Sequence, residues 1–518
     1  MIEHAPSVQT FYAGQSVLVT GGTGFLGKLL IEKLLRTCAD VNCVYALMRP
    51  KRNVSAHQRI EKIFQEAVFD RLRREMPKFR EKIRVISGDC SLPGLGLSVT
   101  DANSLSEQVS IVFNVAATVR FDEKLKKAIT VNIGGTKELM ELCKRMPNLR
   151  VVIHVSTLYS NCNREVIAEE FYPPPMSAED ALHLAQTSSD QQLNALAKTL
   201  LGPFPNTYVY TKCIAEQLVR RYGKELPVGV FRPAIVISTY KEPIAGWVDN
   251  VYGPTGALVA AGIGLLRTIN MDKNCVAELI PADYTINALV VTASAVATKR
   301  FRTITNDPPI CNYHSSWDTA ITWGQYMNLA VKYGRQVPSM RTVWCYTFTP
   351  AKTTCIYYIL VVLLHLLPAT LADTALILLG KKPRILKIYK KLHKFSAVTS
   401  YFGTRDWNIS YSNTKYLWDT LCREDQSLFT FSMNQFHWDD FMYKCVRGLR
   451  VYILKDDPST IHRAKLRMAR FTVLHQFIKY TIVFLIIWLT YSTIYTALTA
   501  INGVVTNQIL HLFAAYTS

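Results

Sequence analysis

Residues 17–27 read "VLVTGGTGFLG". A short apolar run passes directly into Gly21, Gly22, Gly24 and Gly27, and an amphipathic stretch, "GKLLIEKLLRTC", follows. Strand, glycine turn and helix in that order let the backbone approach a pyrophosphate closely. Glycine supplies the turn, and the helix N-terminus supplies free N–H groups and a partial positive charge. The motif therefore predicts a dinucleotide site with contacts from Gly21, Gly22, Thr23, Gly24, Phe25, Leu26 and Gly27.

The pattern repeats outward from this stretch. "VNCVYALM", "KIRVISGD", "VSIVFNVAA", "LRVVIHVST" and "PVGVFRPAIV" are further apolar runs of strand length, separated by helical candidates such as "TKELMELCKRM". Continuous Val/Ile content fits parallel strands covered on both faces. Alternating β and α over this length predicts an α/β fold, a Rossmann-type doubly wound sheet.

The second strand selects the cofactor. An NAD site carries Asp or Glu about 20 residues after the glycines, to hold the ribose 2′-OH. Here the strand ends in "RPKR", so a 2′-phosphate is the better guest and NADPH is the expected cofactor, with Arg49 and then Arg52 as contacts. A solvated basic loop accounts for Lys51 and Arg52 equally well. Later strand ends add Asp89 in "SGD" near the adenine. Ala116, Ala117 and Thr118 in "NVAATVRF" follow, and Asn132 opens the next helix.

A catalytic constellation follows in chain order. "HVSTLYS" ends a strand with Ser156 and Thr157, and "NTYVYTKCIAE" holds Tyr208, Tyr210 and Lys212. Four residues apart, Tyr208 and Lys212 share a helix face, whereas Tyr210 does not. A lysine ammonium beside a phenol lowers its pKa, which makes Tyr208 the expected proton donor. The roughly fifty residues between Thr157 and Tyr208 suggest a lid or a disordered insertion.

Composition bounds the rest. The chain has 518 residues, 49% of them hydrophobic, and a net charge of +20. That charge suits phosphorylated ligands, an anionic membrane or nucleic acid. The twelve cysteines form no C-x-x-C pair, so neither a disulfide scaffold nor a zinc site is expected. Residues 480–501 are uncharged and long enough to span a bilayer core. Basic residues precede this segment and none follows it, which places the catalytic part in the cytosol. Endoplasmic reticulum is the default membrane, with peroxisome and lipid droplet left open. A second apolar stretch, 353–380, is broken by Pro368 and Asp373, so an interfacial or re-entrant hairpin is expected, with a true span as the alternative. The lysines and arginines from Lys381 to Lys394 would attract anionic head groups. Their position beside apolar segments argues against nucleic acid. A homodimer is left open.

The order of glycine motif, Ser/Thr and Tyr-x-x-x-Lys resembles the extended short-chain dehydrogenase/reductase superfamily. "LMRPKR", "HVSTLYSNC", "NTYVYTKCIAEQLV", "FRPAIV" and "EPIAGWVDNVYGPTG" narrow the likeness, and with "WNISYSNTKYLWDTL" and "WDDFMYKCVRGLRVYILKDD" the whole chain resembles eukaryotic fatty acyl-CoA reductases. The resemblance implies two-step reduction of a long-chain acyl-CoA through an aldehyde to a primary alcohol, with Thr157 (or Ser156), Tyr208 and Lys212 as catalytic groups. It implies a family-specific C-terminal domain over 381–457, which joins a cofactor and substrate domain over 1–345 and the apolar hairpin (353–380) and membrane helix (480–501) read from the residues alone. "PAD" at Pro281–Asp283 reads as architectural, "GWVDN" as bordering the substrate cleft, and Trp247 as core. A membrane-bound hydroxysteroid-type dehydrogenase and a non-catalytic cofactor-binding scaffold are the competing readings.

Overall fold

The computed structural model describes residues 7–50, 54–301, 306–316 and 318–517. Lys51 and Arg52 lie outside them.

A seven-stranded sheet forms the centre. Its strands are β1 (Ser16–Thr20), β2 (Cys43–Met48), β3 (Ile83–Ser87), β4 (Ile111–Asn114), β5 (Val151–Val155), β6 (Val228–Pro233) and β7 (Ile310–Tyr313). They run in spatial order β7-β6-β5-β4-β1-β2-β3, with every pairing parallel. Every residue of β1, β2, β4, β5, β6 and β7 is buried, as continuous apolar runs in a sheet covered on both faces require. The order reverses between β1 and β4, and a ligand crevice opens there, beyond the carboxyl ends of the strands. β7 has no counterpart among the sequence-predicted strands.

The segment between Thr157 and Tyr208 is an ordered piece of structure. It carries helices Ala178–Thr187 and Asp190–Leu201. Its short strand Val166–Ile167 pairs in parallel with Asn408–Ile409. Residues 381–457 also join the main body: Phe429, Phe431, Phe436 and Phe441 share its core, and Asn413 Nδ2 donates to the Ile310 carbonyl at 2.7 Å.

The apolar stretch 353–380 departs from expectation. It does not break at Pro368. Thr354–Leu378 is one 25-residue helix, with a π-helical turn at Val362–Leu366 just before the proline. That wider turn accommodates the missing N–H. Tyr357, Val361, His365, Ala369 and Asp373, four residues apart, face inward and are buried. Ile356, Ile359, Leu363, Leu367 and Leu371 are more than half exposed. The inner stripe is bonded to the body. His365 Nε2 accepts from Arg267 N at 3.0 Å, and Tyr357 bonds Ser396 at 3.0 Å. Asp373 accepts from the backbone N–H groups of Arg384, Ile385 and Leu386, each at 2.9 Å. The carboxylate that seemed to interrupt the apolar run is thus the cap of the next helix, Ile385–Gly403.

The chain ends in a helix over Ile461–Tyr516. Its first turns dock on the body, with Arg467 Nε donating to the Thr342 carbonyl at 2.9 Å. No residue of its most apolar window is buried. The uncharged segment 480–501 is the middle of this longer helix.

Candidate active site

A cavity of about 790 Å³ fills the crevice. The strand ends and the helix starts around it supply its walls.

The glycine turn forms one end. Gly21 adopts φ +73°, open to glycine at little cost, and a Cβ at Gly27 would lie 2.2 Å from the Gly21 carbonyl oxygen. The helix Phe25–Thr37 starts at Gly24 with no side-chain cap, leaving its first N–H groups to a ligand. Gly21, Thr23, Gly24, Phe25, Leu26 and Gly27 line the cavity. Gly22 does not: its Cα faces Ile31 and Ala46, where an added Cβ would come within 3.1 and 3.3 Å. It serves helix-on-sheet packing.

Arg49 and Asp89 meet beside the glycine turn. They are 3.7 Å apart, and both line the cavity. The Arg59 guanidinium donates to the Arg49 carbonyl oxygen, a second cation at this end that the sequence reading missed. The chemistry of this set, a capless helix N-terminus sharing the cavity with the Arg49 guanidinium, fits a phosphorylated dinucleotide.

Ala116, Ala117 and Thr118 line the far side. Asn132 does not reach the cavity. Its Oδ1 accepts from Thr118 N at 2.9 Å and its Nδ2 donates to Thr211 Oγ1 at 2.9 Å. It is a brace between the cofactor-side loop and the helix that carries Tyr208, held on a π-helical turn, Ile129–Gly134.

That helix, Thr207–Tyr222, begins with Asn206 Oδ1 accepting from Val209 N at 3.0 Å. Tyr208 and Lys212 face the cavity together with Ser156 and Thr157. Tyr210 is buried elsewhere, edge-on to Phe204. The expected depression of the Tyr208 phenol is absent. Burial pushes it up to about 12, against a smaller lowering from the Thr157 hydroxyl bonded to it. Lys212 is itself fully buried, which lowers its pKa to about 8, and its Nζ donates to the Val155 carbonyl at 2.7 Å. Enclosure outweighs the Thr157 hydrogen bond, so Tyr208 is a protonated donor throughout the physiological range.

Ser156 and Thr157 separate by partner. Ser156 Oγ bonds Glu216, which also takes Ser160 Oγ at 2.8 Å and two of the three Arg232 side-chain nitrogens, Nε at 3.0 Å and Nη2 at 2.7 Å. Thr157 is the hydroxyl beside Tyr208. Glu216 is one more turn along the Tyr208–Lys212 face, and its charge opposes the lowering of the Lys212 pKa.

The loop of "GWVDN" borders the cavity with Asp249 and Asn250, and Trp247 packs behind it on Phe25 at 5.5 Å. Asp249 pairs with buried Lys28 at 3.1 Å, tying this loop to the cofactor helix. Asp283 of "PAD" accepts from the N–H groups of Tyr240, Lys241 and Glu242, an architectural role.

Two family models, each described as male sterility protein, match residues 19–289 and 364–456. A protein of Drosophila melanogaster named fatty acyl-CoA reductase wat is 42% identical over 468 residues, 90% of each chain. The human protein named fatty acyl-CoA reductase 1 is 36% identical over 470 residues, again 90% of each. The chain belongs to the fatty acyl-CoA reductase family. Among solved structures, the reductase domain of a Mycobacterium tuberculosis nonribosomal peptide synthetase superposes with a TM-score of 0.55 at 18% identity. That match covers 87% of this chain and 94% of that one, a likeness of fold. The family's two matched regions both reach the cavity: Gly21 and Thr23–Gly27 from the first, and Phe395, Thr399, Phe402 and Gly403 from the second.

Proposed function

We propose that this chain reduces fatty acyl-CoA to a primary alcohol with NADPH, through an aldehyde, releasing CoA. The observation that carries the reading is the hydroxyl pair of Thr157 and Tyr208, facing one cavity with the glycine turn and backed by Lys212.

Bound NADPH would supply the hydride for each reduction. Gly21, Thr23, Gly24, Phe25, Leu26 and Gly27 would hold its pyrophosphate, with Asp89, Ala116, Ala117 and Thr118 along its length. Arg49, with Arg59 beside it, is the counter-charge for the 2′-phosphate that distinguishes NADPH from NADH. Thr157 and Tyr208 hydrogen-bond the substrate carbonyl oxygen as negative charge develops on it, which is where preorganised donors count most. Tyr208 then passes its proton to that oxygen. The first product is a hemithioacetal; as its C–S bond breaks and the CoA thiolate leaves, its hydroxyl proton returns to the Tyr208 phenolate and an aldehyde remains. The aldehyde oxygen meets the same two hydroxyls and takes a proton in the same way. Lys212 keeps a positive charge behind Tyr208 and balances the phenolate left after each transfer. Ser156, committed to Glu216, takes no part in the transfer.

The substrate arrives from lipid. The outer face of Thr354–Leu378 is apolar, and its inner face is tied to the body along its length. This supports a helix lying in the membrane interface, with the lysines after Gly380 at the head groups. The Ile461–Tyr516 helix anchors the chain, with the catalytic body on the cytosolic side. The endoplasmic reticulum is the default destination.

The test is an NADPH-oxidation assay on membranes carrying the full chain, with acyl-CoAs as substrates and products identified. Alcohol formation with CoA release is expected. Failure to form alcohol from any acyl-CoA overturns the reading.

A further inference from the structure

The cavity extends past Tyr208 in a direction the cofactor does not need. Its wall there comes from the Ile385–Gly403 helix, which turns Phe395, Thr399, Phe402 and Gly403 toward the space. These positions are i, i+4, i+7 and i+8, one face of a helix. The face is continuous with Tyr208 through aromatic contacts. Phe121 stacks on Tyr208 at 6.1 Å between ring centres, Phe402 lies 5.7 Å from Phe121, and Tyr159 meets Phe402 edge-on at 5.0 Å. Met271 and Phe348 complete the wall. The Thr399 hydroxyl is already bonded to the Phe395 carbonyl at 3.0 Å, so it offers the cavity no free donor.

The back of the same helix rests on the apolar helix Thr354–Leu378. Tyr357 bonds Ser396, and Asp373 caps the helix start. The wall of this arm is therefore one helix away from the lipid-facing surface.

We infer that this arm is the acyl-chain site and that Thr399, in the middle of the helix face, sets its depth. The inference rests on the acyl-CoA reading above. The carbonyl sits at Thr157 and Tyr208, and the chain runs along the Phe121–Phe402 aromatics beneath the Ile385–Gly403 helix. Apolar pockets distinguish a methylene by contact, so filling the arm penalises long chains more than short ones.

The experiment compares wild-type full-length protein with Thr399→Phe in membranes, across saturated acyl-CoAs from medium to very long chain. Thr399→Phe is expected to raise the ratio of medium-chain to very-long-chain kcat/KM by about tenfold or more. An unchanged chain-length profile in an active variant overturns the inference and leaves the acyl-CoA reading standing. A wild-type protein that reduces no acyl-CoA removes the reading itself. Should Thr399→Phe not fold, a wild-type labelling experiment decides. An acyl-CoA with a diazirine at the methyl end is expected to mark the peptide containing Phe395–Gly403. Marking confined to peptides outside this helix and its partners Phe121, Tyr159, Met271 and Phe348 overturns the inference.

Discussion

Glu216 and Arg232 form an ion pair with no access to water, their side chains 2% and 0% exposed. Arg232 also donates to the carbonyls of Ala168 and Glu170, both at 2.9 Å. One carboxylate therefore holds together the Tyr208 helix, strand β6 and the end of β5, and its arginine partner holds the start of the segment between Thr157 and Tyr208. Removing one member of a buried pair strands the other. Glu216→Gln is expected to cost about 3–5 kcal/mol, read as a lowered midpoint in denaturant. A midpoint equal to wild type would show the pair to be dispensable.

Lys212 and Tyr208 set the pH profile in a defined order. Lys212 is charged below about 8 and neutral above it, whereas Tyr208 keeps its proton until about 12. Activity is thus expected to fall as pH rises through about 8, because the charge behind the phenol disappears there. In Glu216→Gln, assayed where it remains folded, this limb moves to lower pH, since the carboxylate that favours charged Lys212 is gone. A kcat/KM that stays level through pH 10 would contradict the assignment.

The two tyrosines separate cleanly. Tyr208→Phe removes the hydroxyl beside Thr157 and should reduce kcat by about 10²–10⁴-fold. Tyr210→Phe removes a hydroxyl whose partner is Met176 Sδ at 4.0 Å and should leave kcat within a few-fold of wild type. Product analysis for both variants, with thermal melts to confirm folding, is the check; equal losses would refute the helical-face argument.

The NADPH reading assigns cofactor choice to Arg49. Arg49→Ala is expected to lower kcat/KM for NADPH by about tenfold or more, the value of one charge-assisted contact. NADH turnover should change little. A parallel loss with both cofactors would assign Arg49 to Asp89 and the loop instead of the 2′-phosphate.

Asp373→Ala leaves three N–H groups of the Ile385–Gly403 helix without their acceptor. The expected cost is about 1–2 kcal/mol, together with weaker discrimination among chain lengths, because that helix walls the acyl arm. Asp373→Asn retains an acceptor oxygen and should recover most of both. Recovery of neither would point to the charge and not the cap.

The sheet was legible because its inner strands are buried on both faces, so their apolar runs carry the signal alone. β7 was not. Its "ICNY" contains Asn312, whose side chain bonds the carbonyls of Ile167 and Ser410, and this tertiary demand breaks the apolar run. The glycine turn and the order Thr157, Tyr208, Lys212 could be read from spacing. The raised phenol could not, since burial is a property of the assembled cavity. Gly22 and Asn132 sit in the right motifs yet face away from the cavity, a matter of a few ångströms that no spacing resolves. Pro368 misled because a π-helical turn absorbs it. The Phe395–Gly403 face was hidden by the lysines that cover the other sides of the same helix.

Because one cavity is walled from both ends of the chain, damage late in the gene would act at the active site. A stop codon shortly after Leu378 would spare every group that handles a proton. It would nonetheless unroof the chamber, let water reach the Thr157–Tyr208 pair and remove the strand that holds Val166–Ile167. Alleles of that kind should be as severe as loss of Tyr208 itself, and no separately supplied amino-terminal fragment should substitute for the intact chain.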